Sequence, residues 1–468
     1  MSVSFDWDFQ ETDESFPGYR GDVPPPGWHA WLRRGGVVLV LLLVVGSAAF
    51  AWVRRRLETV EQAEADLRQV VELELKHIAH GDVELLRALQ DPVALQWQER
   101  QLVRYVSNPN GSFVPAPGLS PAGRPPEILQ VRVFGHTGRV RLVHWFQPTA
   151  QAPADSSPAR NSLFPAWSGA VPFYVTWFYH LDEDGAWYHT APPGDHPGVP
   201  YSWHGSRFDI YATEMEAQAL EPVVVELFSL VRRACRLFDC PPQAHYSLRF
   251  EDVPGPEIRG HQWSLPALYL SGMPQDAPSR AAWAHALKLW LVEALAQAQV
   301  ERENLAQRIV YRQLVTQAQA ELGLIEPPTP DDGILAQALE AGKQHPLWSL
   351  WQARCDPDDP QKTRLLEAEV TALLQFIQSK VGSTRLFALL PALDDYERLG
   401  DALVDLYGLA RLDVTVSWSA YLSQLTGVSV AAGLAPRAES VDPSLRLLRP
   451  VPLSQPPGDQ VALACDGQ

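Results

Sequence analysis

The longest unbroken apolar stretch in the chain is Gly35–Val53, GGVVLVLLLVVGSAAFAWV, bracketed by Arg33-Arg34 and by Arg54-Arg55-Arg56. It carries no polar stripe, and at about 1.5 Å per residue it would reach roughly 28 Å as a helix, near the hydrocarbon depth of a bilayer. A segment of 34 residues carrying six carboxylates precedes it, which places it too late for a cleaved signal peptide. The pattern therefore predicts a single transmembrane helix over residues 35–53. Beyond it, Leu67, Val70, Val71, Leu75 and Ile78 recur at helical spacing and predict a helix over 57–88, broken at His80-Gly81-Asp82. Asp82 is placed to cap a short helix over Val83–Leu89. Period-two alternation then takes over, predicting strands Ile128–Phe134, Arg139–Phe146, Phe173–Leu181 and Trp187–Thr190. The Asp182-Glu183-Asp184-Gly185 turn joins the last two as a hairpin.

After the turn-rich stretch Ala191–His204 the rhythm changes. The pattern predicts a strand over Arg207–Ala212, a helix over Thr213–Phe238 capped by Thr213, and strands over His245–Glu251 and Leu265–Ser271. A long helix over Pro278–Val300 follows, with proline in its first turn. Residues 301–350 read as further helices broken at Pro327-Pro328, and Leu373–Leu422 as a helical array turning at Gly382. Three stretches lack periodicity: the acidic-aromatic segment 1–34, the Pro, Ala and Ser-rich loop Gln147–Pro165, and the Pro-rich stretch 426–468. The two terminal ones are expected as disordered tails.

Two resemblances organise these elements. The segment ELKHIAHGDVELLRALQDP and the strands after it resemble the nuclear transport factor two-like superfamily, which implies a cone-shaped α+β domain over residues 57–195. The order strand, helix, strand, strand, long helix over residues 205–425 resembles the gluzincin, or peptidase-MA-like, metallopeptidases. In that family the long helix carries H-E-x-x-H, two zinc ligands one turn apart with the general base between them. Here the helix reads AAWAHALKLWLVEAL. His285 matches the first histidine, Ala286 stands where the base belongs, and Leu289 where the second histidine belongs. The resemblance thus implies a fold stripped of its hydrolytic residues, because no group remains to deprotonate a metal-bound water. His285 and Glu293, two turns apart, are a weak metal pair at most, so no metal and no cofactor are expected. The expected fold class is α+β: one transmembrane helix, a cone-like domain, then a mostly helical gluzincin-like domain.

Composition narrows the partners. A net charge of −17 repels phosphate and excludes nucleic acid. The cysteines Cys235, Cys240, Cys355 and Cys465 include no C-x-x-C pair. Cys235 and Cys240 fit either a local disulfide or two half-buried thiols. On the cone strands, Trp145, Trp177, Tyr179, His144, His180 and His189 could line a small-ligand pocket, or could simply fill the concave face. The expectation is a single-pass protein of the cell membrane, anchored through Gly35–Val53, with most of the chain extracytoplasmic. Its non-catalytic domains, including a pseudo-peptidase module, would bind or regulate a protein partner. The alternative is a membrane-tethered zinc peptidase whose atypical ligands add His261 or His345 to His285 and Glu293.

Overall fold

The computed structural model describes residues 28–107, 114–148, 169–300, 308–354, 356 and 359–428. Most of the expected acidic tail over 1–34 and of the Pro-rich tail over 426–468 lies outside these residues, as do Cys355 and Cys465. The chain divides into two units, Met1–Asp66 and Leu67–Gln468.

The described part of the first unit belongs to helix α1, Trp28–His80. This corrects the expected transmembrane element. The apolar run does not form a helix of its own. It is continuous with a strongly charged stretch that begins at Arg54-Arg55-Arg56 and continues through Glu58, Glu61, Glu64 and Asp66. Among the described residues no helix is long and apolar enough to cross a membrane. The α+β class stands without the spanning helix.

In the second unit, α1 ends at a turn where Gly81 takes φ +67. Asp82 then caps α2, Val83–Ala88, by accepting from the Leu85 N–H. Helix α3, Leu95–Ser107, follows. The first sheet holds β1 (Leu119–Pro121), β2 (Glu127–Phe134), β3 (Thr137–Pro148), β4 (Val171–Leu181) and β5 (Trp187–Thr190). The long strands β3 and β4 form its spine; β1 and β2 share the outer side of β3. The four strands expected from alternation are all present, β3 and β4 each running slightly further.

The second sheet runs β6 (Pro200–His204), β7 (Phe208–Thr213), β8 (Tyr246–Glu251), β10 (Gln262–Pro266) and β9 (Glu257–Arg259) in that spatial order. Strands β7, β8 and β10 are parallel neighbours. The helix expected over Thr213–Phe238 is two helices, α4 (Glu214–Leu220) and α5 (Val224–Leu237). The strand expected to continue through Ser271 stops at Pro266, which lacks an N–H for the ladder. A helical turn, α6 (Leu268–Ser271), replaces it, its first N–H taken by the buried Glu216 carboxylate at 2.9 Å.

Strand β11, Met273–Pro274, then returns to the first sheet and pairs with β4. Helix α7, Ala277–Gln297, opens on an Asp276 cap and buries Trp283, Ala286, Leu287 and Trp290. The remaining helices are α8 (Ile309–Glu321), α9 (Asp332–Glu340), α10 (Pro360–Val381), α11 (Ser383–Leu386), α12 (Leu389–Asp395), α13 (Leu399–Tyr407) and α14 (Arg411–Thr426).

Side chains alternate along a strand, so one face of β3 and β4 can serve two cores in succession. At one end Val140, Leu142, Val175, Trp177 and Tyr179 pack with Leu67, Val71 and Ile78 of α1. At the other, Phe146, Val171 and Phe173 join the large core that includes α5, α7, α8 and α10. His144 sits on this same face between the two groups, directly across from Phe173. Where α1 crosses the sheet, a Cβ on Gly138 would press on the end of the Leu67 side chain, so glycine favours the close approach.

Candidate functional site

The first core encloses a charge. Glu74 lies on the buried stripe of α1 with Leu67, Val71 and Ile78, and it is fully buried. Four donors converge on its carboxylate. Oε1 accepts from Gln90 Nε2 at 2.9 Å, His189 Nδ1 at 2.7 Å and Tyr105 Oη at 3.2 Å. Oε2 accepts from Tyr179 Oη at 2.8 Å. Burial alone would raise the Glu74 carboxyl, but the facing His189 and the hydrogen bonds from His189, Tyr179 and Gln90 outweigh it and hold the group below its ordinary value. Burial, and then the same carboxylate, pushes the Tyr179 hydroxyl well up.

This arrangement fixes the imidazole of His189. With Nδ1 donating to Glu74, the remaining ring nitrogen is Nε2. The ring stacks on Trp177 (4.9 Å between centroids) and Tyr179 (5.0 Å), and Trp97 meets it edge-on at 5.8 Å. The backbone of His189 is clamped as well, its N–H going to Leu89 O and its carbonyl accepting from Asp91 N–H. Asp91 accepts in turn from the Thr190 hydroxyl at 2.9 Å.

His189 lines a shallow, solvent-open cavity with Trp97, Gln101, Thr176, Trp177 and Tyr269, with room for about one water molecule. Of the six cone residues expected to line a pocket, Trp177 and His189 do so. Tyr179 stands behind His189, while His144 is buried with neither ring nitrogen hydrogen-bonded. Burial alone drives the His144 pKa down to about 4. Trp145 carries Arg124 over its ring, and His180 lies 3.9 Å from Asp91.

Sequence reasoning missed Glu74 because 115 positions separate it from His189. The available signal was a glutamate falling on the helical stripe where a leucine would be expected.

The peptidase-like positions are placed differently. Ala286 is buried in the large core, and Leu289 packs against that core. His285 is half-buried; its imidazole is held below its ordinary value by burial and then by the Lys288 ammonium. Glu293 is exposed. His345 is engaged elsewhere, its ring Nδ1 and backbone N–H both on Glu369, at 2.7 and 2.9 Å. His261 packs edge-on against Tyr246 at 4.8 Å. The ligand set of the alternative reading is therefore not assembled, and among the described residues no group of three or more His, Cys, Asp or Glu side chains is placed to hold a metal ion. Cys235 and Cys240 are both buried free thiols.

In comparisons with known proteins, no protein-family model matches the chain and no curated protein matches it.

Proposed function

We propose that the chain is a non-catalytic binding protein whose recognition centre is the aromatic cavity over His189. The observation that carries this reading is the buried Glu74–His189 pair. A carboxylate held by four donors costs several kcal/mol to desolvate in an apolar core. Here that cost places one imidazole, in one tautomer, on the wall of a cavity lined by aromatic rings. Fixed polar groups among aromatic walls are what small-molecule sites use to orient a ligand. The packing of Ala286 and Leu289 supports the second half of the reading, that α7 acts as scaffold and not as a zinc helix.

A fragment screen on the full chain tests the reading, followed through the indole resonances of Trp97 and Trp177 and the imidazole of His189. Fragments that shift all three should compete with one another and lose binding in Trp97→Ala. No such fragment, or stoichiometric zinc lost on His285→Ala, would defeat the proposal.

A further inference from the structure

Away from the His189 cavity, the hairpin of β6 and β7 assembles a second group of polar side chains. It turns through residues 205–208, where the Gly205 N–H bonds Phe208 O at 2.9 Å. That closing bond makes the next pair, His204 with Asp209, a non-hydrogen-bonded one, in which facing side chains stand closest. Two positions further along the ladder, Ser202 faces Tyr211. Side chains two apart on a strand share a face, so Ser202, His204, Asp209 and Tyr211 lie on one side of the sheet. Phe208 and Ile210 take the opposite side into the large core, which leaves these four on the outer one.

The contacts among them form a chain. Asp209 Oδ1 accepts from the Gly205 N–H at 3.3 Å and lies 3.3 Å from His204 Nδ1. Its Oδ2 accepts from the Tyr211 hydroxyl at 3.3 Å and lies 3.0 Å from His245 Nε2. Burial works to raise the Asp209 carboxyl, but His245, the Gly205 N–H and His204 outweigh it and hold the group below its ordinary value. A charged carboxylate facing Nδ1 keeps the ring proton on that nitrogen and leaves Nε2 as the acceptor. Nε2 meets Ser202 Oγ at 3.1 Å. Carboxylate, imidazole and hydroxyl thus follow in the order, and through the ring nitrogens, that activate a serine nucleophile.

We propose that Ser202 is an activated serine that takes an acyl group from aryl esters, with His204 as its base. Ser202 Oγ attacks the ester carbonyl carbon while its proton passes to His204 Nε2. The bond from that carbon to the aryloxide then breaks, and the aryloxide leaves with the proton as a phenol. The acyl group stays on Oγ and His204 is again neutral. Ser202 and His204 are exposed, so the developing oxyanion is met by water and not by a preorganised set of donors. An aryloxide is a good enough leaving group for such a site. The product is an alkyl ester, whose leaving group is poor, so the acyl group remains and the step is stoichiometric. It gives the chain a modification site that does not depend on the His189 cavity.

The test incubates the full chain with 4-nitrophenyl acetate and locates the acetyl group by tandem mass spectrometry of its peptides. Ser206, exposed in the turn of the same hairpin, is the internal reference. Ser202 should be acetylated about tenfold or more faster than Ser206, the lower end of what a positioned base supplies. His204→Ala, a change at an exposed position whose fold is checked by circular dichroism, should bring Ser202 down to the rate of Ser206. Acetylation of Ser202 no faster than that of Ser206, or a Ser202 rate unchanged in His204→Ala, overturns the proposal. Either result leaves the cavity reading standing, since fragment binding at His189 is measured separately.

Discussion

His144 offers the sharpest check on the physical argument. It is about 2% exposed, on the face where the sheet passes from one core to the other, and neither ring nitrogen has a hydrogen-bond partner. Its pKa falls from 6.5 to about 4 because burial disfavours the charged ring. A depressed histidine means that the unfolded chain binds more protons than the folded one between those two values. Stability linked to His144 is therefore complete above pH 6.5, declines as pH falls towards 4, and levels off below. At about 1.4 kcal/mol per pKa unit the full effect is about 3 kcal/mol. His144→Leu keeps roughly the same volume and removes two unmet polar atoms, so at neutral pH the variant should be more stable by about 1–3 kcal/mol. Urea unfolding followed by tryptophan fluorescence, repeated from pH 8 to pH 4, measures both effects. The wild-type curve alone is not diagnostic, because burial pushes Glu216 up to about 7 and that group loses stability in the opposite direction, as pH rises. The difference between wild type and variant isolates His144. It should widen in favour of the leucine variant as pH drops from 6.5 to 4. A flat difference, or a leucine variant weaker than wild type at pH 7, would refute the reasoning.

Other expectations follow from the same geometry. Glu74→Gln replaces an acceptor facing four donors with a group that carries its own N–H; about 3–5 kcal/mol should be lost at pH 7 by urea unfolding, and a double-mutant cycle with His189→Ala should show strong coupling. Since the Glu74 carboxyl is held below its ordinary value, its contribution is present above the unfolded pKa near 4.5 and is lost as pH falls below that, a loss the glutamine variant should lack. Gly138→Ala forces a methyl group into Leu67 and towards Trp187 at 3.2 Å, and should cost about 1–3 kcal/mol in the same assay. Alkylation mapped by mass spectrometry should label Cys235 and Cys240 only once denaturant has opened the second unit; fast labelling of the native chain would contradict their burial.

How much of this was legible beforehand depends on the range of each interaction. The strands of the first sheet and the cap at Asp82 follow from neighbours a few residues apart, and the alternation around Phe173–Leu181 displays them openly. Three features escaped for physical reasons. Strand β11 is two residues long and acquires its pairing from a partner a hundred positions away, so no local pattern marks it. The break between α4 and α5 has no strong signal at Glu221-Pro222-Val223 other than the proline, which the helical spacing on either side outweighed. The apolar run Gly35–Val53 predicts a span when taken by itself, whereas the helix it joins takes its character from the charges that follow.

The site itself shows why carboxylates in apolar stripes are informative. A glutamate in the place of Glu74 is excluded from a core unless its charge is met, and meeting it here required groups from four separate elements: Gln90 after α2, Tyr105 on α3, Tyr179 on β4 and His189 on β5. Each of those elements is thereby pinned to α1 by a directional bond as well as by packing. A leucine at the same position would secure burial without specifying which way the histidine faces. The cavity wall inherits its oriented imidazole from this arrangement. The orientation of that imidazole thus depends on a helix residue sixteen positions from Gln90 and 115 from His189, and Glu74→Gln should shift the His189 ring resonances under conditions where the variant remains folded.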